Sequence, residues 1–172
     1  LGYVNDGRMA KYEDAIRAAA GTGTPPDVAR VRRTQTRAGA VLNLEQQITG
    51  DLGAFARVSA DDGSKEAYEF TAINRSVSGG LSLKGGAWGR PDDTVGLAGV
   101  INDISGAARA YLAAGGLGIL IGDGRLPRYG REKIAETYYS LAIAEGLAVS
   151  LDYQFITDPG YNPDRGPVSV IA

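Results

Sequence analysis

Residues 134–171 read IAETYYSLAIAEGLAVSLDYQFITDPGYNPDRGPVSVI, and the alternation in this stretch decides the fold. Successive side chains of a strand point to opposite faces, so every second residue reports one face. From Thr137 the odd positions are Thr137, Tyr139, Leu141 and Ile143, against Glu136, Tyr138, Ser140, Ala142 and Ala144 on the even ones. Glu145-Gly146 is a turn signal, because glycine takes the positive φ that a tight hairpin requires. Beyond it Leu147, Val149, Leu151, Tyr153 and Phe155 share one face, and Ala148, Ser150, Asp152 and Gln154 the other. Both strands are therefore apolar on one side and polar on the other. A soluble sandwich has the same alternation, so the pattern leaves open what covers the apolar face. Two features favour lipid. Tyr139, Tyr153 and Phe155 suit a membrane interface, and strands of about ten residues cross a bilayer when tilted.

The same two-faced pattern extends upstream. Residues 30–48 predict a long strand with Ala38, Ala40, Leu42 and Leu44 on one face and Arg33, Gln35, Arg37, Asn43, Glu45 and Gln47 on the other. Thr49-Gly50-Asp51 turns the chain into a strand over 52–60, where Leu52, Ala54, Ala56 and Val58 oppose Phe55, Arg57 and Ser59. Arg33, Arg37 and Arg57 thus share the polar face of one hairpin, and since an Arg at mid-membrane costs about 2–4 kcal/mol, they belong in water. After a polar turn at 61–65, a strand over 68–84 alternates cleanly only in its second half. Arg75 falls there on the apolar parity, and a bulge near 73–76 is expected to turn it to the polar side. A Gly/Pro turn over 85–93 precedes a strand over 94–102. The loop 103–131 is the longest; Ser105 is placed to cap a helix ending near Gly115, and a turn at Gly122-Asp-Gly124 follows. Its glycines fit close backbone packing rather than a phosphate-binding loop. Residues 1–29 predict a loop with a short helix, capped by Asn5 or Asp6, striped by Met9, Tyr12 and Ile16, and closed by Gly21. The last loop is 158–167, and Val168 opens a final strand.

These segments amount to about seven strands joined by alternately short and long connections, as in outer-membrane barrels. The short connection at 61–65 is the exception, since it falls on the long-loop side. Several blocks also carry a family resemblance: VRRTQTRAGAVLNLEQQITGDLGAFARVSADDG, RSVSGGLSLKG, WGRPDDTVGLAGVIN, YLAAGGLGILIGDGRL and ETYYSLAIAEGLAVSLDYQFITDPGYNPDRGPVSV. In this order, across nearly the whole chain, they resemble the carbohydrate-selective porins of Gram-negative outer membranes. The resemblance implies an all-β, antiparallel transmembrane β-barrel segment with short helices in its long loops. It implies a water-filled channel for diffusion of mono- and oligosaccharides, in the outer membrane. Eight strands enclose only side chains and channels need about sixteen, so the segment belongs to a larger barrel. Residues 1–172 are accordingly expected to be the C-terminal part of a single barrel domain, with N-terminal strands, a leader and the end of the last strand lying outside it.

Composition agrees with this reading and narrows it. The 172 residues include 25 glycines and carry a net charge of −2, which gives no basic excess for nucleic acid. Cysteine and histidine are both absent, which removes Ser-His-Asp catalysis and cysteine or histidine metal sites. No enzyme activity, cofactor or metal is expected. The longest apolar run, residues 112–121, is far too short for a spanning helix.

An uncharged sugar is held by multidentate hydrogen bonds and aromatic faces, and the arginine fork, carboxylates and amides supply the former. The lumen-facing candidates for substrate binding are Arg33, Arg37, Glu45, Arg57, Glu136, Tyr138, Asp152 and Gln154. Each also has a plainer reading, as part of a solvated wall whose charges pair with one another. Glu136 and Asp152 are a carboxylate pair of the kind glycosidases use, but nothing in the sequence marks a raised pKa or a cleft. Carbohydrate solutes and outer-membrane lipid are the expected partners, and a homo-oligomer is compatible. The alternative is a non-transporting β-barrel or β-sandwich serving sugar binding, adhesion or scaffolding.

Overall fold

The computed structural model describes residues 1–67, 72–118, 126 and 128–172. Eight strands form one antiparallel sheet in chain order. They are β1 (Gly2–Met9), β2 (Arg33–Gln47), β3 (Leu52–Asp61), β4 (Arg75–Gly85), β5 (Arg90–Asp103), β6 (Glu132–Ala144), β7 (Leu147–Thr157) and β8 (Val168–Ile171). Helix α1 (Tyr12–Ala19) follows β1, and α2 (Gly106–Ala113) follows β5. The hairpin over β6 and β7 turns at Gly146, whose φ of 75° is the left-handed conformation expected there.

Register makes each face continuous. Leu42 stands opposite Val58, Val58 opposite Val77, and Val77 opposite Ile101, so one row of branched side chains runs across four strands. Leu42, Leu44, Val58, Val77, Leu81, Leu97, Ile101, Leu141, Val149 and Leu151 on this face are 37–65% exposed. Leaving half of such a side chain in water forfeits about 1 kcal/mol. Over this whole face the loss rivals the ~5–15 kcal/mol net stability of a domain. All eight strands lie in one sheet, so among the described residues no second sheet covers the face as a sandwich requires.

The structure changes four expectations. Residues 2–9 are a strand, not part of a loop, because Val4 and Tyr3 pair with Ala38 and Gly39 of β2; Asn5 and Asp6 therefore cap nothing, and α1 starts at Tyr12. No bulge turns Arg75 inward: the register runs unbroken from Leu52 opposite Leu83 to Ala60 opposite Arg75. Arg75 shares the apolar parity of Val77, but it begins β4, at the end of the strand, where its charge is exposed and reaches water. The irregularity in the β4–β5 ladder falls instead where Lys84 faces Thr94 and Gly85 faces Arg90. Pro91 sits in that gap, where its missing N–H costs no ladder bond, so β5 starts at Arg90 and the turn shrinks. The connection after β3 is 62–74 rather than 61–65, which removes the exception to the short/long alternation. Tyr68, Glu69, Phe70 and Thr71, which begin the expected 68–84 strand, and the Gly122-Asp-Gly124 turn lie outside the described residues.

The buried core sits among the long connections, not against the sheet. Ala15 of α1, Ala108, Tyr111 and Leu112 of α2, and Ile104, Leu126 and Tyr161 pack together on that side. Ser105 caps α2 as expected, its side chain accepting from the Ala108 amide at 3.0 Å. Asn74 ties the connections together, donating to Asp61 at 2.8 Å and accepting from the Ser105 amide at 2.9 Å. On the short-turn side, Trp88 donates to the Tyr139 hydroxyl at 3.1 Å beside the buried Asp93, placing an aromatic pair at the other border of the apolar face.

Candidate functional site

The polar face is built by the residues opposite in parity to Leu42 and Val58. Its centre is a groove of about 650 Å³ lined by Glu45, Gln47, Phe55, Arg57, Lys84, Thr94, Glu136 and Tyr138. That volume lies within the ~300–1,000 Å³ of small-molecule clefts. Two aromatic rings form its floor. Phe55 is opposite Gly80, and a Cβ built on Gly80 would stand 2.6 Å from the ring. Tyr138 is opposite Gly96, where a Cβ would stand 2.1 Å from the ring. Each ring thus packs closely against a glycine, because no side chain holds it off the backbone. Such faces suit the C–H side of a sugar ring.

Polar groups surround the rings. Arg57 donates through Nε to Asn43 at 2.8 Å and through a terminal nitrogen to Glu45 at 3.2 Å. Its guanidinium lies 5.0 Å from the centre of the Phe55 ring. Cross-strand pairing holds Arg57 opposite Asn43 and Glu45 opposite Phe55, so the cluster follows directly from register. Across the groove Gln154 donates to Glu136 at 2.8 Å, and Asp152 stands opposite Tyr138. More than half of the Arg57 and Glu45 side chains is exposed, which leaves donors and acceptors open to a solute.

The eight candidates therefore separate into a group and two outliers. Glu45, Arg57, Glu136 and Tyr138 share the groove, with Asp152 and Gln154 on the same two rows. Arg37 lies elsewhere: Arg57 faces Asn43, six residues along β2 from Arg37, roughly 20 Å at about 3.3 Å per residue. Arg37 is buried against the carboxylate of Asp61, with its Nε unpartnered. Arg33 is farther still and donates to Asp14 of α1 at 2.8 Å. The three arginines share a face but not a site. Phe55, Lys84 and the glycine floor are absent from the candidates read from sequence; the signal for Phe55 was an aromatic residue on the polar parity, with Gly79-Gly80 and Gly96 on later strands.

The family described as carbohydrate-selective porin, OprB family, matches residues 1–172. Comparison with curated proteins and with solved structures gives no match.

Proposed function

The chain belongs to the carbohydrate-selective porin family, and on that premise we propose that its sheet is part of a Gram-negative outer-membrane barrel whose polar groove lines a channel for carbohydrates. The observation that carries this reading is the pairing of an uncovered apolar face with a polar face floored by Phe55 and Tyr138. A sugar passing the groove stacks its C–H surface on these rings. Its hydroxyls exchange hydrogen bonds with Arg57, Glu45 and Glu136, a set holding both donors and acceptors. No bond is broken, and the role is passive diffusion past a weak site. β1 and β8 each pair on one side only among the described residues, and eight strands enclose too little space for a sugar. A channel wide enough for a sugar therefore needs strands beyond these eight.

The test is solute flux through liposomes reconstituted with the full-length porin. Neutral mono- and oligosaccharides are expected to enter, with a flux that saturates as concentration rises. A folded, heat-modifiable barrel that passes no sugar overturns the channel and leaves the scaffold or adhesion reading.

A further inference from the structure

The apolar face ends on the long-connection side in a row of cations. Arg75 begins β4 on that face and has no hydrogen bond or ion pair among the described residues. Its partner across the ladder is Asp103, the last residue of β5. Asp103 is buried and accepts from Arg131 at 3.2 Å, from Arg109 at 3.3 Å, and from the Tyr129 hydroxyl. Burial pushes that hydroxyl up to about 12, so it stays a donor at neutral pH. Lys133 faces Ile101 one step toward the membrane and, among the described residues, pairs with Asp158 at a long 3.9 Å. Among the described residues three of these four cations thus pair with two carboxylates, Asp103 and Asp158, and Arg75 pairs with neither. Just below stand Val77, Ile101 and Ala135, the last apolar positions of their strands.

An excess of exposed cations along the border of a lipid-facing surface matches one partner chemistry. We propose that the rim formed by Arg75, Arg131 and Lys133 binds the phosphate of an anionic lipid headgroup in the leaflet on the long-connection side. Arginine presents a planar fork that bridges two phosphate oxygens, and Lys133 adds a point charge from the next strand. Asp103 fixes the Arg131 guanidinium at the border, so little of its freedom is lost on binding. The acyl chains then lie along Val77, Ile101 and Ala135. The inference rests on the barrel spanning a membrane and is independent of which solute passes through it.

The experiment uses the full-length porin in detergent, with lipid A bearing both phosphates, lipid A with its phosphates removed, and inorganic phosphate as probes. Native mass spectrometry and the temperature of the heat-modifiable gel shift are the readouts. Phosphorylated lipid A is expected to stay bound and to raise that temperature, whereas the other two probes do neither. Each cation near a membrane surface contributes about fivefold in affinity, so Arg75→Gln with Lys133→Gln should weaken retention about 25-fold. Sugar flux should be unchanged, since neither residue faces the groove. Equal retention of both lipids, equal stabilisation by inorganic phosphate, or full retention by the double variant overturns the proposal. Should the double variant not assemble, Arg75→Gln alone carries the same test with a fivefold expectation.

Discussion

Arg37 and Arg57 carry the same side chain on the same face and answer to different physics. Arg37 and its partner Asp61 are about nine-tenths buried, so neither charge can be left alone. Removing one member of such a pair typically destabilises by about 3–5 kcal/mol. Arg37→Ala is therefore expected to lower the temperature at which the full-length barrel loses its compact gel mobility, and to reduce its yield. A variant that unfolds at the unaltered temperature removes this pair from the stability of the fold. Arg57 is exposed and divides its donors between Asn43 and Glu45, so its fork, not its charge, defines its geometry. Arg57→Lys keeps the charge and loses the fork. It should weaken sugar saturation in liposomes several-fold while ion preference in single-channel recordings stays unchanged. Arg33→Lys, remote from the groove, should be silent in both assays. If Arg57→Lys is silent too, the cluster is solvated wall and not a sugar site.

At the scale of the element, the close approach of ring to strand makes two glycines informative. A methyl on Gly96 meets a flexible ring, that of Tyr138, whereas a methyl on Gly80 also meets the Leu97 carbonyl oxygen at 2.6 Å. Gly96→Ala is expected to lift the Tyr138 ring from the floor and reduce sugar flux with little loss of stability. Gly99→Ala, on the apolar face with nothing within 4 Å, is the neutral control. Equal flux in both variants would remove the ring from the site. The connection after β3 carries a pH dependence of its own. Burial works to raise the Asp62 carboxyl, but Lys65 and Ser64 donate to it and hold it down at about 2, against 3.8 in the open chain. A lowered folded-state value means that the stabilisation is fully present above about pH 4 and is lost as pH falls toward 2. Asp62→Asn should flatten this part of the stability profile between pH 4 and 2 and leave sugar flux at neutral pH intact. An unchanged acid limb of the profile counts against it.

For the whole molecule the decisive property is that, among the described residues, the apolar face of the sheet has no layer against it. Residues 1–172 expressed alone expose an apolar face and edges of β1 and β8 that are unpaired among the described residues, a combination that associates in water. They are expected to collect in inclusion bodies or to require detergent. A monodisperse monomer in plain buffer, melting cooperatively, contradicts the membrane reading of the apolar face. The small core among α1, α2 and the loop at Tyr161 is where water-excluded packing does hold the chain together. Its position on the long-connection side leaves the polar face of the central strands open, as a channel wall requires.

Legibility followed the range of the interactions involved. Alternation is a property of neighbours along the chain, so the two faces, the Glu145-Gly146 hairpin and the Ser105 cap could all be read from sequence. The ordered blocks carried the porin family as well. Sequence also located Glu45, Arg57, Glu136 and Tyr138 on the polar face, because parity alone assigns a face. Parity does not assign height. Only cross-strand register decided that Arg57 meets Asn43 while Arg37 sits roughly 20 Å away against Asp61. Register likewise laid Phe55 over Gly80, and it put Arg75 at the membrane border, where no bulge is needed. Strand β1 was hidden because GYVNDGRM pairs with β2 across the whole first long connection, through backbone hydrogen bonds that its own polar sequence does not announce. Local pattern set what each strand is; the long-range pairing set which side chains meet.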